Sequence, residues 1–277
     1  MEKVNYNFTR LKFIQNNFIL KKIYRVLKRD SYDNKKYNFF YKKHFYYFNN
    51  NSIINSYISN SNNTNINERN EFIYEKVNTN LFLKLIHNEQ FYNFFDIGSA
   101  IGYFSILGCS NFQNVYSFEC IDKVYALQKN YLELFQIPNV KIYNVAIGNN
   151  KNLTYSDFNG TFSGKCITID DFCEKNKIQY IDKSFFKIDI EGFEFEALKG
   201  MKKMLAHKPK LLIEIHQTIL NQNNENFLQI IEYLFQYYNS IEVILNKDSF
   251  EITKNNFQKS KKLKKIKDNI FIIHTTS

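Results

Sequence analysis

From about residue 65 onward, short apolar runs alternate with longer stretches in which apolar side chains recur at helical spacing. The segment EFIYEKVNTNLFLKLIHN (71–88) predicts a helix, and YNFFDI (92–97) predicts a strand that feeds a helix starting near Ile101. NVYSFE (114–119) predicts the next strand, followed by a helix over DKVYALQKNYLELFQ (122–136) that stops before Pro138. VKIYNVAI (140–147) is a third strand candidate, followed by a loop that holds Gly160 and Gly164. Thr168 and Asp171 have the spacing of a helix cap at the start of TIDDFCEKN (168–176). Strand SFFKIDI (184–190), helix FEFEALKGMKKMLAH (193–207), strand KLLIEIH (210–216) and helix NFLQIIEYLFQYY (226–238) continue the alternation. Two last strands, IEVIL (241–245) and IFIIHT (270–275), are joined without a helical pattern, which predicts an antiparallel hairpin at one edge. Apolar strands alternating with amphipathic helices imply an α/β fold, a mostly parallel sheet covered by helices on both faces.

The first 65 residues have a different character. Leu11, Ile14, Phe18, Ile19, Ile23 and Leu27 mark a basic amphipathic helix over residues 9–30. YNFFYKKHFYYF (37–48) offers a strand or two, and the Asn-rich stretch that follows has little to bury. The expected division is an N-terminal extension, 1–65, and a main domain, 66–277.

Composition changes this picture in three ways. The chain's 277 residues suffice for one large α/β domain, and with only eight glycines and two prolines the glycines mark places where the backbone needs them. Four cysteines, Cys109, Cys120, Cys166 and Cys173, show no C-x-x-C spacing and no histidine in ligand register. Reduced thiols in a cytoplasmic protein, without a zinc site, are expected. The net charge of +10 gathers largely in residues 10–29 and in KSKKLKKIK (259–267), neither of which carries a nucleic-acid-binding signature. Those runs imply solvated faces, or peripheral contact with an anionic membrane surface, and no nucleic-acid partner is expected.

Candidate chemistry sits at the strand ends, where open α/β sheets bind their ligands. These ends carry Asp96, Glu119, Asn144, Asp189 with Glu191, and Glu214 with His216. The first turn, Gly98-Ser99-Ala100-Ile101-Gly102, lacks the third glycine and the tight spacing that a pyrophosphate site needs, which disfavours a nicotinamide enzyme. Its glycines permit close backbone approach, and Glu119 at the end of the second strand can accept both hydroxyls of a ribose. Asp96, Gly98, Gly102 and Glu119 therefore suit a cationic adenosyl cofactor without phosphate, namely S-adenosylmethionine. Asp189, Glu191 and His216 are candidates to remove a proton from an acceptor. A divalent metal shared by Asp189 and Glu191 would lack a third ligand, so no metal site is expected. Lys187 lies mid-strand among apolar residues and can pair with a nearby acid.

FFDIGSAIGYFSI, SFEC, NVAIG, TIDDF, FFKIDIEGFEFEALKGM and LLIEIH also occur in the order and spacing of the FkbM-family methyltransferases, which the chain resembles over roughly residues 70–220. The K-I-D-I-E-G-F-E block is the most specific part. The resemblance implies a class I methyltransferase fold, Rossmann-like, with seven strands of which the last is antiparallel. It implies O-methylation of a hydroxyl on a sugar, glycan or glycolipid precursor, with S-adenosylmethionine held by Asp96, Gly98, Ser99, Gly102, Glu119, Cys120, Asn144, Val145 and Asp189. Ser99-Ala100 and Cys120 depart from the family's commoner residues at those places. The rival reading is a non-catalytic module that keeps the adenosyl fold and docks through its basic runs.

Overall fold

The computed structural model describes residues 64–66, 72–74, 76–109, 111–135, 137–149, 151–157, 160–222, 224–245, 248–263, 266 and 270–276. The basic helix over 9–30 and the aromatic strands and Asn-rich stretch up to residue 63 lie outside the described residues.

Strands β1 (Thr64–Ile66) and β2 (Phe72–Tyr74) pair antiparallel where the pattern predicted loop and the start of a helix. The aromatic and β-branched run Phe72-Ile73-Tyr74 favours extended backbone, so helix α1 begins later, at Lys76–Asn88. Then come β3 (Asn93–Ile97), α2 (Tyr103–Gly108), β4 (Asn114–Phe118), α3 (Asp122–Phe135) and β5 (Val140–Tyr143). The loop expected around Gly160 and Gly164 is a hairpin, β6 (Asn152–Asp157) and β7 (Gly160–Lys165). Its strands alternate polar and apolar residues and place Tyr155 opposite Phe162, a pairing that outweighs the glycines.

Helix α4 (Ile169–Lys175) starts at the expected cap, with the Asp171 amide donating to Thr168 Oγ1 at 2.9 Å. β8 (Ser184–Ile188) follows, and the single helix expected over 193–207 is two, α5 (Glu194–Lys199) and α6 (Lys202–Ala206). β9 (Lys210–His216) runs directly into α7 (Gln217–Gln222), and α8 (Phe227–Leu234) begins with a capping box between Asn226 and Gln229. β10 (Ser240–Leu245), β11 (Asp248–Thr253) and β12 (Ile270–Thr276) complete the order.

The main sheet has eight strands in the order β11-β10-β12-β9-β8-β3-β4-β5. β9, β8, β3, β4 and β5 are parallel, and β12 is antiparallel to both β9 and β10. The last strand is antiparallel as expected, but it lies between β9 and β10, and the edge hairpin is β10–β11. Composition explains the exchange: IFIIHTT can be flanked on both sides, while DSFEIT alternates polar residues and suits an edge. Seven strands follow the class I methyltransferase arrangement, and β11 is an addition to it.

Both faces of the sheet are buried, and the two phenylalanines of β3 show how. Phe94 packs with Phe82, Phe112 and Phe185 on the side covered by α1 and α2. Phe95 faces the other way, stacked on Phe186 at 4.2 Å between centroids and on Tyr116, with Phe172 of α4 edge-on. Successive side chains of a strand point to opposite faces, so this one dipeptide anchors both helical layers. None of the four cysteines forms a disulfide. Among the described residues no helix is long and apolar enough to cross a membrane.

Gly200 ends α5 because of the chain beside it: a Cβ there would stand 2.3 Å from the carbonyl oxygen of Gly148. Its own carbonyl accepts from the Asp170 amide at 3.1 Å, so the close approach is held from both sides. Helix propensity alone favours Gly200→Ala by about 0.5–1 kcal/mol. The contact with Gly148 reverses the sign, and urea unfolding of the variant should show a loss of about 1–3 kcal/mol.

Candidate functional site

The order of the strands reverses between β3 and β8: the chain moves from β3 through β4 to β5 on one side, and from β8 to β9 on the other. Ligands of open α/β sheets bind at such a switch point, beyond the carboxyl ends of the strands. Here the two neighbours end in the Gly98–Gly102 turn and in Asp189–Gly192.

The turn is built on backbone geometry. Gly98 and Gly102 have φ of 78° and 80°, and Ala100 between them also takes a positive φ, 49°. A Cβ on Gly98 would lie 1.8 Å from the carbonyl oxygen of Asp189, so only glycine lets the two strand ends close together. The amides of Gly98 and Ser99 both donate to the Phe118 carbonyl, at 3.1 and 2.9 Å, which fixes the turn over the end of β4.

Beneath the turn lies a buried polar stack. Ser105 Oγ contacts Asp96 Oδ2 at 2.6 Å and Ser117 Oγ at 2.9 Å, the Gln128 amide donates to Ser117, and Ser99 Oγ donates to Gln128 at 3.0 Å. The stack ties β3, β4, α2 and α3 together under the turn. Asp96 is fully buried, its Oδ1 has no hydrogen-bond partner, and burial pushes its carboxyl above the ordinary range against the pull of Lys187 and Ser105. Asp96 and Ser99 thus lie one layer under the ligand space and set the shape of the turn.

Glu119 stands at the end of β4, its carboxylate positioned by the amides of Ala100 at 3.0 Å and Ile121 at 2.7 Å. The first of these bonds joins it to the glycine turn. Cys120 beside it is half-buried, and the Glu119 amide donates to the Tyr143 carbonyl at the end of β5. After β5, Asn144 is exposed and donates to Asp122 at the start of α3, while Val145 is half-buried against the core. The Asn144 side chain therefore faces α3 rather than the Gly98 turn.

Across the switch point, a histidine and four acids converge. Asp189 Oδ2 accepts from Lys187 Nζ at 2.7 Å; Lys187 is itself buried, its ammonium 4.5 Å from the centre of the Phe104 ring. Burial would raise the Asp189 carboxyl, but the charges of Lys187 and His216 hold it below the ordinary range. The other oxygen, Oδ1, lies 3.9 Å from His216 Nε2. β8 ends at Ile188, and Glu191 sits in a left-handed turn with φ of 51°, followed by Gly192 at 92°. The strand thus stops before both acids, and the turn folds Glu191 Oε2 back to 3.4 Å from His216 Nε2.

His216 corrects a sequence expectation. Burial lowers its pKa, but the hydrogen bond to Glu194 and the charges of Asp189, Glu194 and Glu191 outweigh it and lift the ring to about 10. At neutral pH the ring is therefore a cation and, in that state, cannot be the proton acceptor expected of it. Glu194, fully buried, holds Nδ1 at 2.8 Å and accepts the Gly192 amide at 2.9 Å. Glu214 Oε1 is 4.0 Å from Nε2, and its other oxygen accepts from the Asn78 amide of α1. Sequence reasoning passed over Glu194 and Asn78. The only sign of the first was an acid recurring through Asp189, Glu191, Glu194 and Glu196, and nothing in the local pattern pointed to the second.

A cleft lined by Gly148, Leu153, Cys166, Phe193 and Glu196 opens beside the β6–β7 hairpin, and no residue of the glycine turn lines it. Backbone strain and buried charge coincide instead at the switch point.

A doubly covered parallel sheet, a glycine turn at the switch point without a phosphate cradle, and an acid closing the second strand define a methyltransferase of the class I fold. The chain belongs to the FkbM methyltransferase family, whose domain matches residues 91–241, more than half of the sequence. Its cofactor is S-adenosylmethionine. The residues fit it: Gly98 and Gly102 leave room for close approach, Glu119 is fixed where ribose hydroxyls would be bound, and the neighbouring acids suit a sulfonium. No curated protein matches the chain. Solved structures similar to it include a precorrin-8w decarboxylase of Methanobacterium thermoautotrophicum, 14% identical over 74% of this chain and 91% of that one, with a TM-score of 0.44. A precorrin-6y C5,15-methyltransferase of Geobacter metallireducens is 13% identical over 74% and 91% of the two chains, with a TM-score of 0.43. An N-methyltransferase of Bradyrhizobium japonicum is 9% identical over 73% and 97%, with a TM-score of 0.42.

The expectation that Glu119 accepts the ribose hydroxyls can be tested by removing its carboxylate. Calorimetric titration with S-adenosylhomocysteine should show Glu119→Ala binding at least about tenfold more weakly than the parent chain, with the melting temperature lowered as well because the Ala100 and Ile121 amides lose their acceptor. Equal affinity in the two proteins would remove Glu119 from the site.

Proposed function

We propose that the protein transfers the methyl group of S-adenosylmethionine to a hydroxyl of a sugar, glycan or glycolipid precursor. The observation that carries this reading is the carboxylate-rich wall of Asp189, Glu191 and Glu214 around His216, packed against the cofactor turn through the Gly98–Asp189 approach. Such a wall offers several hydrogen-bond acceptors side by side, which suits the adjacent hydroxyl donors of a polyol.

The cofactor supplies an electrophilic methyl carbon on a sulfonium, so the protein's task is to place the acceptor oxygen in line and take its proton. Gly98, Gly102 and Glu119 fix the adenosyl end, and Asp189, whose backbone carbonyl adjoins Gly98, is the acid of the cluster that lies against the turn. Asp189 is committed to Lys187 and is a weak base. Glu191, with half of its side chain exposed, is the carboxylate at the mouth and serves as proton acceptor. Protonated His216 orients the acids around it.

Incubation of the purified chain with methyl-labelled S-adenosylmethionine and a panel of free sugars, glycans and glycolipids should place label on a hydroxyl as a base-stable ether. Glu191→Gln should lower kcat by about 100-fold or more while leaving affinity for S-adenosylhomocysteine within about twofold. Label on nitrogen or RNA, with carbohydrate hydroxyls untouched, would contradict the acceptor reading.

A further inference from the structure

We propose that Asp189, Glu214 and His216 form a binding site for a divalent metal ion of the Mn²⁺ kind, at the carboxyl ends of β8 and β9. One ligand atom from each of the three lies within 4.8 Å of the other two, and His216 Nε2 faces Asp189 Oδ1 and Glu214 Oε1. Nε2 is 3.9 Å from the first and 4.0 Å from the second, beyond hydrogen-bond distance of both. Two ligands of an ion bound at about 2.1 Å stand about 3 to 4.2 Å apart, so both separations from Nε2 fit a coordination shell rather than direct bonds.

Each ligand is held from behind by a separate group. Lys187 takes the other oxygen of Asp189, Asn78 takes the other oxygen of Glu214, and Glu194 takes Nδ1 of His216. The last contact is the carboxylate–histidine pairing that fixes the tautomer of a metal-bound imidazole and aims Nε2 at the ion. His216 is 5% exposed, so a buried ring nitrogen points into the acids without a hydrogen bond to either ligand oxygen. The ring is protonated when no ion is bound, so an ion binding here would take the place of the Nε2 proton, drawn by the carboxylates of Asp189, Glu191 and Glu214 that surround it. Glu191 Oε2, 3.4 Å from Nε2, is within reach as a fourth ligand or as a base beside the ion. Two carboxylates suit Mn²⁺, which as a transition-metal ion also takes imidazole, whereas Ca²⁺ prefers oxygen alone. From sequence no metal was expected, for want of a third ligand beside Asp189 and Glu191; the fold supplies Glu214 and His216 from the neighbouring strand.

Beside the cofactor turn, the ion would position the acceptor hydroxyl. That role rests on the O-methylation proposed above, whereas the ion site itself does not. The test therefore uses the full chain without cofactor or acceptor, titrated with MnCl₂ and followed by electron paramagnetic resonance. One Mn²⁺ per chain, with a dissociation constant on the order of 10 µM and coupling to a single imidazole nitrogen, is expected. His216→Gln should abolish the nitrogen coupling, and Glu194→Gln, which touches no ion, should weaken binding about 10- to 100-fold. If either variant fails to fold by circular dichroism, the nitrogen coupling of the parent chain decides. No uptake by the folded parent chain at about 1 mM Mn²⁺, or uptake without nitrogen coupling, would overturn the site and leave His216 as a buried imidazolium that ties the acids together.

Discussion

The close passage of Gly98 over the Asp189 carbonyl is the constraint on which the rest of this molecule depends. Two adjacent parallel strands turn away from each other at their carboxyl ends, and here they do so at a separation that leaves no space for a Cβ. That approach brings a turn made for an adenosyl group against a turn made of acids. Had the strands parted one residue earlier, the two turns would be separate surface loops with no shared chemistry.

Electrostatics follows from this packing. On the β3 side, polar residues are buried in a stack in which serine and glutamine side chains partner one another, and Asp96 is driven toward its neutral form by burial. On the β8 side, burial is offset by opposite charge: Lys187 keeps Asp189 ionised, and the acids keep His216 protonated. The first arrangement makes a rigid floor for a ligand, and the second keeps negative charge facing outward. A cationic methyl donor and a hydroxyl acceptor both suit that division.

Much of this was legible in the sequence because strands and helices of different period alternate, and because each strand-end acid follows an apolar run. The glycine turn and the Thr168 cap could be read from neighbouring residues. What could not be read depends on distant ones. Gly200 breaks a helix because of Gly148, and β12 moves inward because its apolar character suits two neighbours. His216 is lifted to about 10 by acids that reach it from another strand end and from α5. Glu194 looked like an ordinary first-turn acid, and its role appears only when β9 brings His216 beside it.

The most direct measurement of the central claim, that the glycine turn and the acid cluster are one site, is hydrogen–deuterium exchange of the full chain with and without S-adenosylhomocysteine. The account predicts that protection on binding gathers in peptides covering residues 97–103, 118–122 and 188–193 together. Protection confined to the first two, with the peptide through Asp189 and Glu191 unchanged, would contradict it.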